Sequence, residues 1–455
     1  MNKKPNIILI VIDAARADHF SCYGYHRKTT PFMDKIANEG ILYNNAISTA
    51  GWTLPSHASM FTGTYPSKHG AHNENFFLSD KLPTMTEALT EQGYKTVGFC
   101  RGDWVSDSTG LTRGFEEYYN LHFSKFQHKM KRLINYFKIN GVDTWSYEIN
   151  KNVKKWIKEN SSPFFMFIHY SELHLPYSLP NAYRKKFVSV SDEELNKVNQ
   201  NPKEYYSGRV KMTEKDFQIS RDLYDGALAY QDRRIGELYQ FLKIRGVLDN
   251  TVFIITSDHG ESLGDKEHFD HYYVLYEPII RIPLIVRHPG IFGTGVRDDS
   301  LVQTLDFFPT VLEMLNIDRS AYNEMQGIPL PPLNNGEKRE FTISERFQDL
   351  KGLKESYPDM DLSHLEKFEK DRKVAIRTKE FKLIKSMRGN SELYKISEDP
   401  HESTNLIDER EDVVSELNQK LDEWKKSFDP AEISGDEPEF DDEMVKRLKS
   451  LGYLG

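Results

Sequence analysis

Polar residues able to bind a metal ion or activate a nucleophile stand at the ends of three short apolar runs. Asp13 follows NIILIVI, His169 and then His174 come at the end of PFFMFIHY and just beyond it, and Asp258 and His259 follow NTVFIITS. Carboxylates and imidazoles together suit divalent transition metals. A single aspartate after a strand is often only a helix cap. The coincidence of such groups at three strand ends indicates a metal-dependent site.

A candidate nucleophile lies in the segment GWTLPSHASMFTG, residues 51–63. Pro55 suits the first turn of a helix, so Thr53 is predicted to lie at a helix N-terminus. The helix dipole and free N–H groups there favour an anion such as phosphate or sulfate. A nearby cation would lower the pKa of the Thr53 hydroxyl and activate it. Taken alone, the segment is equally compatible with a threonine that only caps the helix.

The pattern of apolar runs and helices indicates how these residues are positioned. Five runs are typical of buried parallel strands: NIILIVI, KTVGFC, PFFMFIHY, NTVFIITS and IPLIVRH. Helical patterns that end near a glycine alternate with them. The alternation predicts an α/β fold with a doubly wound, mostly parallel sheet flanked by helices. Ligands bind beyond the carboxyl ends of such strands, which would bring the polar residues together.

The chain is predicted to divide into a large catalytic domain and a small C-terminal one. Residues 1–325 form the α/β domain, and a linker rich in Pro, Gly and Asn falls within residues 326–345. Residues 346–430 are predicted to form an α+β subdomain. Its small antiparallel sheet comes from KVAIRTKEFKLIKS and ELYKIS, and the helix EDVVSELNQKLDEWKKSF follows. An acidic tail occupies residues 431–455.

Composition excludes several classes of protein. The 455 residues are 38% hydrophobic, which is enough for a sizeable core. A net charge of −9 argues against a nucleic-acid partner. A small anionic substrate stays compatible, because a local metal site can invert the sign of the charge. Oligomeric state is not predicted.

No apolar run approaches the roughly 20 residues of a membrane span, so none is expected. The N-terminal run is too short for a signal peptide, and Cys22 and Cys100 have no zinc or disulfide spacing. We therefore expect a cytoplasmic protein. The basic segment 123–139 is expected to be a helix that packs on the domain, and membrane contact is the weaker alternative.

The chain resembles sulfatases and their relatives in the alkaline phosphatase superfamily over nearly its whole length, which implies an alkaline-phosphatase-like fold. The segments that carry the resemblance are NIILIVIDAARADHFSCYGY, TTPFMDKIANEGILYNNAIS, TLPSHASMFTGTYPSKHG, HYSELHLPY, SDHGESLGDKEHFDHYYVLYE, IPLIVRHPG and ELYKISEDPHESTNL.

The resemblance implies roles for individual residues. Asp13, Asp258 and His259 match metal ligands, and Thr53 stands where the nucleophile of the family stands and would complete the metal site. His174 matches a histidine that contacts the ester oxygens or assists the leaving group.

Other residues are expected to contact the substrate. His271 matches a basic position that faces the bound ester, and His268 could be its neighbour at the same site. Residues 100–115 are predicted to line the pocket, where Arg101 or Asp103 could contact the substrate.

The chain departs from sulfatases at the nucleophile. Those enzymes oxidise a cysteine or serine in C/S-x-P-x-R to formylglycine, whereas this chain has Thr53 with His57 in place of the arginine. Oxidised threonine would be a ketone, which hydrates poorly, so no formylglycine is expected and Thr53 would act as an alkoxide. A phospho-threonine can be opened by water, whereas a sulfo-threonine has no such easy exit. Threonine nucleophiles are those of phosphodiesterase and phosphonate monoester hydrolase relatives.

A second departure is Ala14, where many sulfatases carry another aspartate ligand. A mixed Asp and His set favours Mn²⁺ or Zn²⁺, with Ca²⁺ or Mg²⁺ as alternatives. One cation is favoured, because His57, His174 and His271 can themselves supply positive charge and protons.

The sequence therefore predicts a metal-dependent hydrolase of phosphate- or sulfate-type esters, with phosphodiesters or phosphonate monoesters first. One alternative is a sulfuric ester hydrolase of arylsulfatase type without formylglycine. The other is a non-catalytic binding protein that keeps the fold. The expected partner is a small anionic ester.

Overall fold

A computed structural model describes residues 4–121, 145–160, 163–271, 273–347, 372–387 and 389–431. The basic segment 123–139 and the tail beyond residue 431 lie outside the described residues.

A nine-stranded sheet forms the centre of the molecule. Its strands are β1 (Asn6–Ile12), β2 (Ile41–Ile47), β3 (Lys95–Cys100), β4 (Glu117–Asn120), β5 (Phe164–Tyr170), β6 (Thr251–Thr256), β7 (Arg281–Ile282), β8 (Leu284–Arg287) and β9 (Val296–Gln303). Their order is β4-β3-β5-β1-β6-β8-β2-β7, with β9 paired to β2. The first five strands in this order are mutually parallel, and β8 is antiparallel to both of its neighbours.

Helices cover both faces of this sheet. They are α1 (Pro31–Asn38), α2 (Thr53–Thr62), α3 (Pro66–His69), α4 (Met85–Glu91), α5 (Trp145–Glu159), α6 (Asn181–Phe187), α7 (Asp192–Leu195), α8 (Pro202–Tyr206), α9 (Glu214–Ile244), α10 (Glu277–Ile280), α11 (Pro289–Phe292) and α12 (Phe307–Leu315). None of the helices in the described ranges is long and apolar enough to cross a membrane.

The central strand β1 is buried on both faces, as its continuous apolar sequence predicts. Ile8, Ile10 and Ile12 belong to the core that also contains residues of α9. The alternate residues Ile7, Leu9 and Val11 belong to the opposite core, which contains residues of α2 and α12. Two cores on the two faces of a mostly parallel sheet confirm the predicted α/β fold.

The second sheet is small and antiparallel, as predicted. It has the order β10 (Thr342–Arg346), β11 (Lys373–Arg377), β12 (Lys382–Ser386) and β13 (Glu392–Tyr394). The helix α13 (Glu411–Lys426) buries Leu417, Leu421 and Trp424 in one cluster with Ile376 and Leu383 of the sheet.

Buried ion pairs join this sheet to the part of the molecule built on the nine-stranded sheet. Lys382 is fully buried and its Nζ lies 3.1 Å from Glu277 at the start of α10. The same ammonium contacts the buried Glu402. Arg377 adds a bidentate contact to Glu277 at 3.0 and 3.1 Å. The junction therefore depends on buried charges whose partners must all be present.

We expect Lys382→Met to lower the free energy of unfolding by roughly 3–5 kcal/mol, because it leaves the buried Glu402 without its counter-charge and leaves Glu277 with Arg377 alone. Burial raises the pKa of Glu402 to about 7 even with Lys382 beside it. The folded state then keeps this proton after the unfolded state has lost it, so stability falls as the pH rises from about 4.5 through 7. Without Lys382 the pKa of Glu402 should rise further, so the fall should continue to higher pH.

Denaturant unfolding followed by circular dichroism at pH 5 and pH 8 measures this effect. Lys385→Met is the matched control, because Lys385 lies on the same strand and is only half-buried. Equal unfolding midpoints for the two variants at pH 8 would contradict the role given to Lys382.

Candidate active site

The predicted metal ligands meet at the carboxyl edge of the central strands. Asp13 directly follows β1, and Asp258 and His259 follow β6 after one intervening residue. β1 and β6 are paired in parallel, so their carboxyl ends are neighbours. Ala14 has a positive φ of 60°, a conformation that residues other than glycine adopt rarely. The sharp turn there places the N–H of Ala14 3.3 Å from Asp258 Oδ1.

Thr53 is the first residue of α2, as the sequence predicts, and is buried. Two serine hydroxyls, Ser56 on α2 and Ser48 just after β2, join these elements to the turn after β6. Ser48 and Ser56 both donate to the carbonyl oxygen of Asp258, at 2.5 and 2.7 Å. Thr53 Oγ1 is thereby held 3.5 Å from His259 Nε2. These two serine contacts could not be predicted from the sequence, since they join residues far apart in the chain.

Three oxygens surround His259 Nε2 at nearly equal distances. Asp13 Oδ1 lies at 3.4 Å, Asp258 Oδ2 at 3.5 Å and Thr53 Oγ1 at 3.5 Å. Ligands about 2.1 Å from a tetrahedral Zn²⁺ lie about 3.4 Å apart. Within the described residues, Asp13 Oδ1 and Asp258 Oδ2 have no hydrogen-bond partner although both are buried. The donor set and its spacing therefore fit a divalent cation.

The electrostatics of this group also suit a cation. Burial, followed by the negative charge of Asp258, raises the pKa of Asp13 well above its ordinary value. Burial opposes the charge of Asp258 as well, but His259 and His57 hold its pKa at about 2. Burial lowers the pKa of His259 to about 3, so its ring is neutral and able to act as a ligand.

His57 lies behind the nucleophile, facing the strand ends. Its Nδ1 is 2.8 Å from the carbonyl oxygen of Thr53 and 3.7 Å from Asp258 Oδ2. Its ring lies against that of His169 at the end of β5, with centroids 5.0 Å apart. Burial lowers the pKa of both imidazoles. At this position the chain has a neutral ring instead of the guanidinium of sulfatases.

His271 is held as a cation by two acidic residues. Its Nδ1 lies 2.6 Å from Asp270 Oδ1 and 3.2 Å from Glu261 Oε1. Burial opposes its charge, but these carboxylates raise its pKa well above the ordinary value. The ring of His271 lies 4.3 Å from that of His259, between centroids. Sequence reasoning missed both acids, although Glu261 follows Asp258 within SDHGES and Asp270 adjoins His271.

His174 is half-buried and close to this cation. The centroids of the His174 and His271 rings are 5.3 Å apart. His174 Nδ1 lies 2.8 Å from the carbonyl oxygen of Leu175, so in the neutral ring Nδ1–H donates and Nε2 is the basic nitrogen. Burial and the charge of His271 lower the pKa of His174.

The predicted substrate contacts separate into two places. Arg101 donates to Ser171 Oγ at 2.9 Å. Burial lowers the pKa of Arg101, and the negative charge of Asp13 is one of those that oppose this effect. Asp103 is buried on the same loop. His268, in contrast, has its Nδ1 3.4 Å from the hydroxyl of Tyr206, and Lys373 and Arg346 of the second sheet help to lower its pKa to about 4, after burial.

The sulfatase family model matches residues 5–317, which is more than half of the chain. The chain belongs to the sulfatase family. A second model, described as the C-terminal part of N-sulphoglucosamine sulphohydrolase, matches residues 264–427.

Relatives of this sulfatase-family chain include proteins named as sulfatases from a mammal and from a bacterium. Arylsulfatase K of Bos taurus is 25% identical, with 92% of this chain and 81% of that protein covered. The N-acetylglucosamine-6-O-sulfatase of Bacteroides thetaiotaomicron is also 25% identical, with 94% and 87% covered.

Solved structures share the fold. The phosphonate monoester hydrolase of Agrobacterium radiobacter superimposes with a TM-score of 0.71 at 21% identity, covering 92% of this chain and 95% of that one. A protein solved with its substrate D-glucosamine-2-N,6-O-disulfate gives 0.73 at 23% identity, covering 95% and 100%.

Proposed function

We propose that this sulfatase-family hydrolase cleaves phosphodiesters or phosphonate monoesters, with unmodified Thr53 as its covalent nucleophile. The observation that carries the proposal is the position of Thr53 Oγ1 at the start of α2. It lies 3.5 Å from His259 Nε2, beside two buried carboxylates. At that position the Thr53 hydroxyl would lie beside a cation held by these residues, and within reach of the phosphorus of an ester bound to that cation.

Asp13, Thr53, Asp258 and His259 would hold the catalytic cation, with Mn²⁺ or Zn²⁺ favoured by the mixed ligands. When bound, the cation would polarise the ester and lower the pKa of the hydroxyl. The unpartnered oxygens of Asp13 and Asp258 support this assignment. The histidine is already neutral and needs no proton removed before it binds a metal.

The chemistry of threonine favours phosphorus over sulfur. The family's formylglycine needs cysteine or serine, and position 53 offers neither. In the first step Thr53 Oγ forms a bond to phosphorus and its hydroxyl proton passes to solvent water, while the bond to the leaving oxygen breaks and that oxygen takes a proton from His174. In the second step water attacks phosphorus and gives a proton back to His174, while the bond to Thr53 breaks and the Thr53 oxygen takes a proton from solvent. The net reaction is hydrolysis of one ester bond.

The two histidines beside this site, His174 and His271, have different proposed roles. His271 keeps its charge through Asp270 and Glu261 and would stabilise the ester oxygens. His174 is neutral at rest, but a bound anion would raise its pKa. It would then give a proton to the leaving oxygen and recover one from the attacking water.

A matched set of 4-nitrophenyl esters tests the proposal: a phosphodiester, a phosphonate monoester, a phosphate monoester and a sulfate monoester. We expect the diester and the phosphonate monoester to have the highest kcat/KM, because each is a monoanion that a threonine can attack and water can release. Thr53→Ala should lose several orders of magnitude. Chelation should abolish turnover, and added Mn²⁺ or Zn²⁺ should restore it.

The sulfate ester is the second candidate substrate, since the relatives are named as sulfatases. Faster turnover of the sulfate ester than of every phosphorus ester would overturn the proposal and favour a sulfuric ester hydrolase. Near-normal turnover by Thr53→Ala would exclude Thr53 as the nucleophile. Binding of the esters without turnover in the metal-loaded protein would instead indicate a non-catalytic member of the family.

The division of roles between the two histidines predicts different dependence on the leaving group. His174→Gln should cost about 10²–10⁴-fold in kcat for an alkyl diester, the usual range for general acid catalysis. It should cost far less for a 4-nitrophenyl diester, whose leaving group needs no proton. His271→Gln should slow both esters by similar factors, because it removes a charge that both use.

Steady-state kinetics of the two variants on the two esters measure this difference. Circular dichroism checks that His271→Gln folds, since it leaves Asp270 and Glu261 without their cation. Equal losses on both esters for His174→Gln would contradict its role as the proton donor.

A further inference from the structure

A second group of buried ligand atoms lies beside the proposed catalytic cation site. His57, His169 and Asp258 each place one ligand atom within 4.8 Å of the others, and all three are buried. His57 comes from α2, His169 from the end of β5, and Asp258 from the turn after β6. Three separate elements thus direct imidazoles and a carboxylate at one point.

Each member of this group has a polar atom that lacks a partner. Among the described residues, His57 Nε2, His169 Nε2 and Asp258 Oδ2 are buried without a hydrogen bond. A buried polar atom without a partner destabilises the folded state, because it has lost its hydrogen bonds to water. Asp258 Oδ2 also faces the proposed catalytic cation, so the two imidazole nitrogens are the atoms that this cation leaves without a partner. Their presence in one group with a shared carboxylate indicates a further ligand.

The tautomer of His57 suits metal binding. Its Nδ1 lies 2.8 Å from the carbonyl oxygen of Thr53, which can only accept a hydrogen bond. In the neutral ring Nδ1–H therefore donates, and Nε2 carries the lone pair that a cation needs. A backbone carbonyl of this kind is the usual partner of the second nitrogen of a metal-binding histidine.

His169 connects this group to the catalytic site through Asp13. Its Nε2 lies 3.7 Å from Asp13 Oδ2, while Asp13 Oδ1 lies 3.4 Å from His259 Nε2. The other nitrogen of His169 lies 3.4 Å from Cys100 Sγ, which fixes the orientation of the ring. One carboxylate thus faces both groups, with one oxygen towards each.

We propose that His57, His169 and Asp258 bind a second divalent cation, with Asp13 between the two ions. Two imidazoles and a carboxylate suit a borderline first-row cation such as Zn²⁺. The site deepens the proposed function and rests on it, because Asp13 and Asp258 serve both ions. The second cation would supply, beside His57, the positive charge that an arginine supplies at this position in sulfatases. It also differs from the single ion that the sequence favours.

Native mass spectrometry of the full chain, stripped with a chelator and reloaded with Zn²⁺, counts the ions directly. We expect two ions for the unmodified protein, and one each for His169→Phe and His259→Gln. Phenylalanine keeps the packing of His169, whose ring stacks on Phe167. His72→Phe is the matched control with two ions, because His72 is buried and stacks on Phe347 outside the group.

One ion in the unmodified protein, or two ions in a folded His169→Phe, would overturn the second site. Retention of both ions by His259→Gln, with loss of one by His169→Phe, would instead overturn the proposed catalytic site and leave this one standing. Mn²⁺ provides an independent measurement, because two neighbouring ions broaden each other's electron paramagnetic resonance. If His169→Phe does not fold, His57→Gln takes its place. The spectrum of isolated Mn²⁺ ions in the fully loaded, unmodified protein would also overturn the inference.

Discussion

Two buried carboxylates at the ends of adjacent parallel strands are the constraint on which the site depends. Asp13 and Asp258 lie in the interior, where their charges are costly unless paired. Backbone N–H groups and neutral imidazoles relieve only part of this cost, since one oxygen of each carboxylate has no hydrogen-bond partner within the described part of the chain. The two carboxylates therefore lack enough positive charge nearby, and bound cations would supply it.

The scaffold around these carboxylates fixes the nucleophile relative to them. Ser56 on α2 and Ser48 just after β2 both donate to the carbonyl oxygen of Asp258, which holds the helix beside the end of β6. The strained turn at Ala14 directs the preceding aspartate into the same space. On the opposite side, Asp270 and Glu261 lie within 2.6 and 3.2 Å of His271 Nδ1 and raise its pKa, so that it stays a cation.

Strands and helix starts could be predicted from the sequence, whereas contacts between side chains far apart in the chain could not. β1 and β3 coincide with NIILIVI and KTVGFC because a strand buried on both faces must be apolar throughout. Pro55 predicted the start of α2, because proline is favoured in the first turn of a helix. The contacts of His57 with His169 and of His271 with Glu261 depend on which loops meet in space. The domain boundaries, the cytoplasmic location and the substrate contacts of Arg101 and Asp103 stay predictions.

The stereochemical course at phosphorus tests the threonine nucleophile most directly, because it does not require an intermediate to accumulate. A phosphorothioate diester of defined configuration would be hydrolysed in ¹⁸O-labelled water, and the configuration of the product determined. Attack by Thr53 followed by attack by water inverts phosphorus twice, so overall retention is predicted. Overall inversion would mean that water attacks the ester directly, which contradicts a covalent role for Thr53.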